Sequence, residues 1–190
     1  MLQRFVTCMI GLCLAINIHA QQNNSSAGPD PEYMNQLYYV EDSNKLVSLE
    51  KEKATMKTKT KLGGFGGASS AYVMEGSSST VKLGKSKPSF AVKIDANMMM
   101  MDPSSMLRLY KFDKKKDTRE SIISKSGFGG KNNSVNTEGI SCTIKKTSTG
   151  VYIVSPEEPL EAGEYAFLNM MQMAGSGMNM AYTAYAFSIN

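Results

Sequence analysis

The side chains in this chain best suited to unusual chemistry are thioethers. Of its 15 methionines, Met98, Met99, Met100 and Met101 form an unbroken run before Asp102-Pro103. Met170, Met171, Met173, Met178 and Met180 surround a second segment with Gly175-Ser176-Gly177 at its centre. Thioethers are soft ligands that suit Cu(I), so Met171, Met173, Met178 and Met180 are candidate metal ligands. Methionine is also flexible and polarizable, which makes the same residues candidates for an adaptable apolar contact surface. A third reading is plain packing of two neighbouring loops. The residues alone leave all three open.

Other chemistry is scarcer. The one histidine, His19, lies in the first 20 residues with Cys8 and Cys13. If that segment is removed, as argued below, no Ser-His-Asp triad, Cys-His pair or His-rich zinc or iron site can be built. The Met-x-Met spacing is similar to that of envelope copper-binding loops, which often add a histidine. Cys142, in the alternating run Ile140-Ser141-Cys142-Thr143-Ile144, reads as a small buried apolar side chain rather than a nucleophile. Gly84-Lys85-Ser86 looks like the end of a phosphate-binding loop, but Ser79 stands where the leading glycine belongs and Pro88 follows instead of a helix. Glu157, Glu158, Glu161 and Glu164 read as a solvated cluster. A hydrolase using carboxylates alone is the least favoured alternative. No catalytic residue and no cofactor is expected, Cu(I) being the alternative.

Two glycine-rich tips repeat, Gly63-Gly64-Phe65-Gly66-Gly67 and Gly127-Phe128-Gly129-Gly130. Glycine permits tight reversal, but a loop tip seldom needs an aromatic. Phe65 and Phe128 are therefore candidate contacts for a sugar ring, a lipid or a protein partner, against the reading that each folds back beneath its loop.

The elements that must hold these residues begin with an export signal. Met1 to Arg4 is a short basic start, Phe5 to Ile18 an apolar run of 14 residues, and Ile18-His19-Ala20 a small-residue boundary. This pattern predicts a secretory signal over 1–20, cut after Ala20, and a run too short to span a bilayer. Loss of Arg4 takes Lys plus Arg from 21 to 20 against 17 acids, a net of +3. Cys142 becomes the only cysteine, so no internal disulfide forms and the fold must rely on its core. All 20 remaining cations fall between Lys45 and Lys146, while both flanks carry acids alone. Only Arg108 and Arg119 among them are arginine. Bidentate phosphate recognition favours arginine, so specific nucleic-acid binding is not expected. An acidic envelope polymer or lipid head groups remain possible partners for the basic middle, as does another envelope protein or a glycan. The mature chain is expected to carry no transmembrane segment.

Residues 21–36 read as a flexible leader and 37–190 as a single domain. Short β-rich runs separated by Gly, Ser, Asn and Pro predict about ten to twelve strands and little helix. Phe90-Ala91-Val92-Lys93-Ile94 and Leu107-Arg108-Leu109-Tyr110-Lys111-Phe112 alternate between two faces. Lys57, Lys59 and Lys61 share one face of Met56–Leu62, as on a guarded edge strand. Leu160-Glu161-Ala162-Gly163-Glu164-Tyr165 has the spacing of a tyrosine corner, in which Leu160, Gly163 and Tyr165 fix a crossover between sheets. The expected fold is an all-β Greek-key sandwich, immunoglobulin-like in its C-terminal half.

Lys45-Leu46-Val47 with Leu49, Leu107-Arg108-Leu109, Arg119-Glu120 and Leu160 to Phe167 together resemble a group of uncharacterised secreted bacterial proteins with an all-β, immunoglobulin-like fold. The resemblance covers most of the mature chain, rests on structural motifs and implies no activity. The expectation is a non-enzymatic binding or structural module of the periplasm or the cell exterior, with contacts at the loop tips and methionine clusters.

Overall fold

In the computed structural model, which describes residues 28–42, 45–61, 66–95, 102–127, 132–134, 136–148, 150–175 and 180–190, thirteen strands and one helical turn make up the regular structure. The strands are β1 (Leu37–Asp42), β2 (Lys45–Ser48), β3 (Glu50–Thr60), β4 (Ala68–Glu75), β5 (Lys82–Leu83), β6 (Phe90–Lys93), β7 (Leu107–Lys114), β8 (Thr118–Ser126), β9 (Asn132–Ser134), β10 (Cys142–Ser148), β11 (Val151–Pro156), β12 (Gly163–Ala174) and β13 (Ala181–Ile189). The turn α1 (Pro103–Met106) precedes β7, and the Asp102 side chain caps it by accepting from Ser104 N at 2.9 Å. The expected export segment 1–20 lies outside the described residues. Of the expected leader, Met34 bridges Lys93, and Asn35 N donates to the Lys93 carbonyl at 2.7 Å.

The fold is all-β and has two sheets. The smaller runs β10-β11-β6-β1-β2. The larger runs β12-β7-β8-β4-β3-β13-β5, and β12 also pairs with β13, so six of its strands close into a barrel. Closure removes the open edges that a flat sheet would expose. It also alters the role of the lysine row. β3 pairs with β13 over Glu50–Thr55 and with β4 over Thr55–Thr60, so it is a wall strand of the barrel rather than a guarded edge. The free edges of the smaller sheet are β2 and β10, which carry Lys45 and Lys145-Lys146.

A closed wall has two faces, and here both are packed. Outer-face residues Leu107, Leu109, Tyr165, Phe167, Tyr185 and Phe187 meet Leu37, Phe90, Val92 and Val154 of the smaller sheet in one core. Lumen-facing Ala54, Tyr72, Met74, Tyr110, Phe112, Ala166, Leu168, Tyr182, Ala184 and Ala186 form a second. β13 is therefore almost continuously buried, as strands covered on both sides are. A six-strand barrel has a narrow lumen. Four alanines supply the room into which the rings of Tyr72, Tyr110 and Tyr182 fit, with Tyr72 edge-on to Tyr110 at 5.2 Å and to Tyr182 at 5.4 Å. Among the described residues no helix is long and apolar enough to cross a membrane.

Candidate functional site

The lumen side of the barrel is apolar in the middle and different at each end, because strand parity carries the same face from one rim to the other. At the rim where β3 and β12 begin, that face bears Glu50, Glu52, Arg119, Glu164 and Ser188. Arg119 is fully buried. Its Nη2 donates to Glu52 at 2.5 Å and to the Glu75 carbonyl at 3.2 Å, and its Nε to the Gly76 carbonyl at 3.2 Å. Its Nη1 has no hydrogen bond but faces Glu164 at 3.6 Å and Glu50 at 3.9 Å. Glu164, expected in a solvated cluster, is only 1% exposed. The correction follows from its parity: Glu164 shares the lumen face with Ala166 and Leu168, whereas Tyr165 and Phe167 face the smaller sheet.

Glu164 survives burial because every lone pair is used. Ser79 N donates at 2.8 Å, Ser188 Oγ at 2.8 Å, Ser78 Oγ at 3.1 Å and Lys114 Nζ at 3.0 Å. Burial pushes its pKa up, but these bonds outweigh that and hold it below the ordinary carboxylate range. For Glu52 the balance goes the other way: burial raises its pKa, and Arg119 offsets this only in part. The cluster closes this end of the lumen with paired charge. Buried ion pairs of this kind add little net stability, but removing one partner is costly. Nearby, Lys82 donates to Ser78 and to Ser188. A Ser-Lys nucleophile needs its lysine desolvated, and Lys82 is exposed.

At the same rim Tyr165 Oη donates to the Glu161 carbonyl at 2.9 Å, and Leu160 is buried in the core between the sheets. Gly163, the first residue of β12, lies against both Tyr165 and Lys111, whose nearest atoms would stand 3.6 and 3.3 Å from an added Cβ. Tyr165→Phe removes the hydroxyl and leaves a carbonyl unpaired. It is expected to lower stability by about 1 kcal/mol, read as a reduced urea midpoint with unchanged slope.

The opposite rim gathers most of the residues singled out from sequence. Here β3 ends, β4 starts, β8 ends, β12 ends and β13 starts. Met56, Ile123, Met170 and Met180 pack half-buried onto the apolar lumen. Past Asn169, whose side chain accepts from Met171 N and Gln172 N, β12 leaves regular register with β13 and carries Met171 and Met173 out to solvent, 42% and 51% exposed. Met171 and Met173 are thus solvent-facing, whereas Met180 is engaged with the lumen. Phe65, Phe128, Met98, Met99, Met100, Met101 and Met178 lie outside the described residues. The chain on either side of Phe65 and the chain leading to Phe128 are both at this rim. Gly67, at φ +92°, is so close to β8 that a Cβ would stand 2.1 Å from the Ser126 carbonyl oxygen. Glycine there lets the chain entering β4 lie against the end of β8.

The outer surface of this rim is basic. Lys59 and Lys125 flank Ser69 in register across β3, β4 and β8, and with Lys61, Gly66 and Gly67 they line a groove of about 220 Å³. A larger cleft of about 400 Å³ opens elsewhere, between α1, the start of β7 and β10, and includes Arg108, Glu138, Cys142 and Glu157. Burial pushes the pKa of its Cys142 thiol up to about 12, with Glu157 adding to the shift, which disfavours the thiolate. Arg108 is already engaged with the Thr137 carbonyl at 3.1 Å. Sequence reasoning missed Arg119, Glu52 and the role of Glu164. The signal lay in the scarcity of arginine, the cation better suited to buried pairing, in a chain whose other cations are nearly all lysine. Comparison with protein families, curated proteins and solved structures finds no match for this chain.

Proposed function

We propose that the protein is an exported, non-catalytic binding module that presents one end of its closed barrel to a partner in the periplasm or at the cell exterior. The observation carrying this reading is the contrast between the two rims. One is sealed by Arg119, Glu52 and Glu164, and the other sends an uncharged arm with exposed Met171 and Met173 beyond the apolar lumen. Methionine is flexible and adapts to varied apolar surfaces, so two exposed on one uncharged arm suit a contact with a partner. Packing of the smaller sheet across β7, β12 and β13, with Tyr165 bonded back to Glu161, supports treating the fold as a Greek-key, immunoglobulin-like sandwich in which one sheet has closed. The same features support kinship with the uncharacterised secreted bacterial proteins that the sequence resembles.

The test is site-specific photo-cross-linking in producing cells, with the reactive side chain at Met173 or, as control, at Lys116 in the β7–β8 turn of the sealed rim. Adducts are expected from position 173 and not from 116. Equal yields, or none at 173, would remove the proposal. Exposed Met171 and Met173 also favour Cu(I) as a second reading. That reading predicts Cu(I) binding tighter than micromolar by calorimetry under reducing conditions, weakened by Met171→Leu with Met173→Leu.

A further inference from the structure

We infer that the basic rim docks on an anionic lipid bilayer, with phosphate head groups held by Lys59, Lys61 and Lys125 while Met171 and Met173 enter the acyl boundary. The inference rests on the binding-module reading above and names its partner class. Two independent features at one end of the barrel lead to it. The first is charge. Lys57, Lys59, Lys61 and Lys125 are all exposed on the outer face, and the last three surround a groove of about 220 Å³, roomy enough for a phosphate group. Among the described residues, the acid that reaches this row is Glu120, at 3.0 Å from Lys59, while Lys57, Lys61 and Lys125 make no ion pair. From Thr58 to Lys61, from Gly66 to Met74 and from Ile122 to Gly127 there is no acid at all.

The second feature is apolar. Met170 to Gly175 carries no charge, and it holds two of the four large apolar side chains that are exposed among the described residues. A polyanion in solution would use the lysines and ignore the thioethers. A bilayer uses both, because the anionic surface attracts cations while the interface beneath it accepts apolar side chains. The lysines are ammonium point charges rather than guanidinium forks, which suits a fluid array of head groups better than a fixed bidentate ligand.

Sedimentation of the exported protein with vesicles tests this. Three partners are compared: phosphatidylcholine vesicles, vesicles with a third of phosphatidylglycerol, and soluble dextran sulfate. Binding to the anionic vesicles is expected to exceed binding to neutral ones and to weaken as salt screens the surface. Lys61→Gln with Lys125→Gln should lower partitioning about 25-fold, at about fivefold per lysine. Met171→Ser with Met173→Ser should lower it about tenfold on vesicles and leave dextran sulfate binding unchanged. All four positions are exposed, and unchanged thermal melts would confirm that the variants fold. Equal binding to both vesicle types, no binding, or loss through the lysines alone with dextran sulfate bound as tightly as vesicles would each overturn the lipid assignment. Cross-links from position 173 to a protein, with no vesicle binding, would sink the lipid inference while sparing the binding-module reading. No adduct of any kind at position 173 would sink both.

Discussion

Arg119→Ala is expected to lower the unfolding free energy by about 3–5 kcal/mol at pH 7, the usual result of removing one partner from a buried ionic cluster. The guanidinium is fully buried and touches Glu52, Glu164, Glu50 and two backbone carbonyls. Without it the Glu75 and Gly76 carbonyls lose donors, and the carboxylates lose their cation inside a low-dielectric rim. A domain of ordinary stability has about 5–15 kcal/mol to lose, so the variant should melt about 10 °C lower or more. The pH dependence distinguishes this cause from a simple cavity. In the unaltered protein the Glu164 pKa is held low. Its stabilisation is therefore complete above the ordinary glutamate value of about 4.3 and is lost as pH falls through the lower folded value. Glu52 has the opposite sign, since its folded pKa is raised, and protonating it relieves a cost. Removing Arg119 raises Glu52 further. The deficit of the variant should therefore shrink as pH falls from 7 to 5, because the more strongly raised Glu52 of the variant gains more from protonation than that of the parent. A deficit independent of pH over that interval would mean that lost packing, not unpaired charge, is responsible. Arg119→Met, which keeps much of the volume, should then be nearly neutral instead of also strongly destabilising.

The strands were largely legible because alternation is a local property. Phe90–Ile94, Leu107–Phe112 and Tyr182–Ile189 announce themselves by which residues recur at every second position, and each forms a strand, the first ending at Lys93. Closure was not legible. It depends on β12 pairing with both β7 and β13, and on β13 reaching back to β3. These are long-range registers that no short window contains. A half-legible case is Glu164. Read with Glu157, Glu158 and Glu161 it joins an acidic loop. Read by parity with Ala166 and Leu168 it belongs to an apolar face, and only a fold with two packed faces makes the second grouping the governing one. The methionines show the same limit: the sequence gathers Met170, Met171, Met173, Met178 and Met180 around one connection, but Met170 and Met180 engage the lumen while Met171 and Met173 meet water because of the irregular register past Asn169.

Phe187→Ala should be the most damaging single truncation between the two layers, costing about 3–5 kcal/mol. Phe187 is fully buried on the outer face of β13 and lies between the layers, with its ring 5.0 Å from Phe90 of the smaller sheet, 5.7 Å from Tyr165 and 6.2 Å from Phe167. Its neighbours along the strand, Ala186 and Ser188, point into the lumen and cannot refill the space. Two consequences separate this packing from a loose association of a barrel with a covering sheet. If both cores belong to one cooperative unit, far-UV circular dichroism and tyrosine fluorescence should report a single urea transition with a lower midpoint and the parental slope. If the barrel stands alone, the variant should lose the smaller sheet first, and the two signals should separate. Because β13 forms a wall of both cores, with Tyr185 and Phe187 on one side and Ala184 and Ala186 on the other, a disturbance on one face displaces the backbone that shapes the other. The single transition is therefore the expected outcome. A cost below about 1 kcal/mol would show that the aromatic cluster is not close-packed.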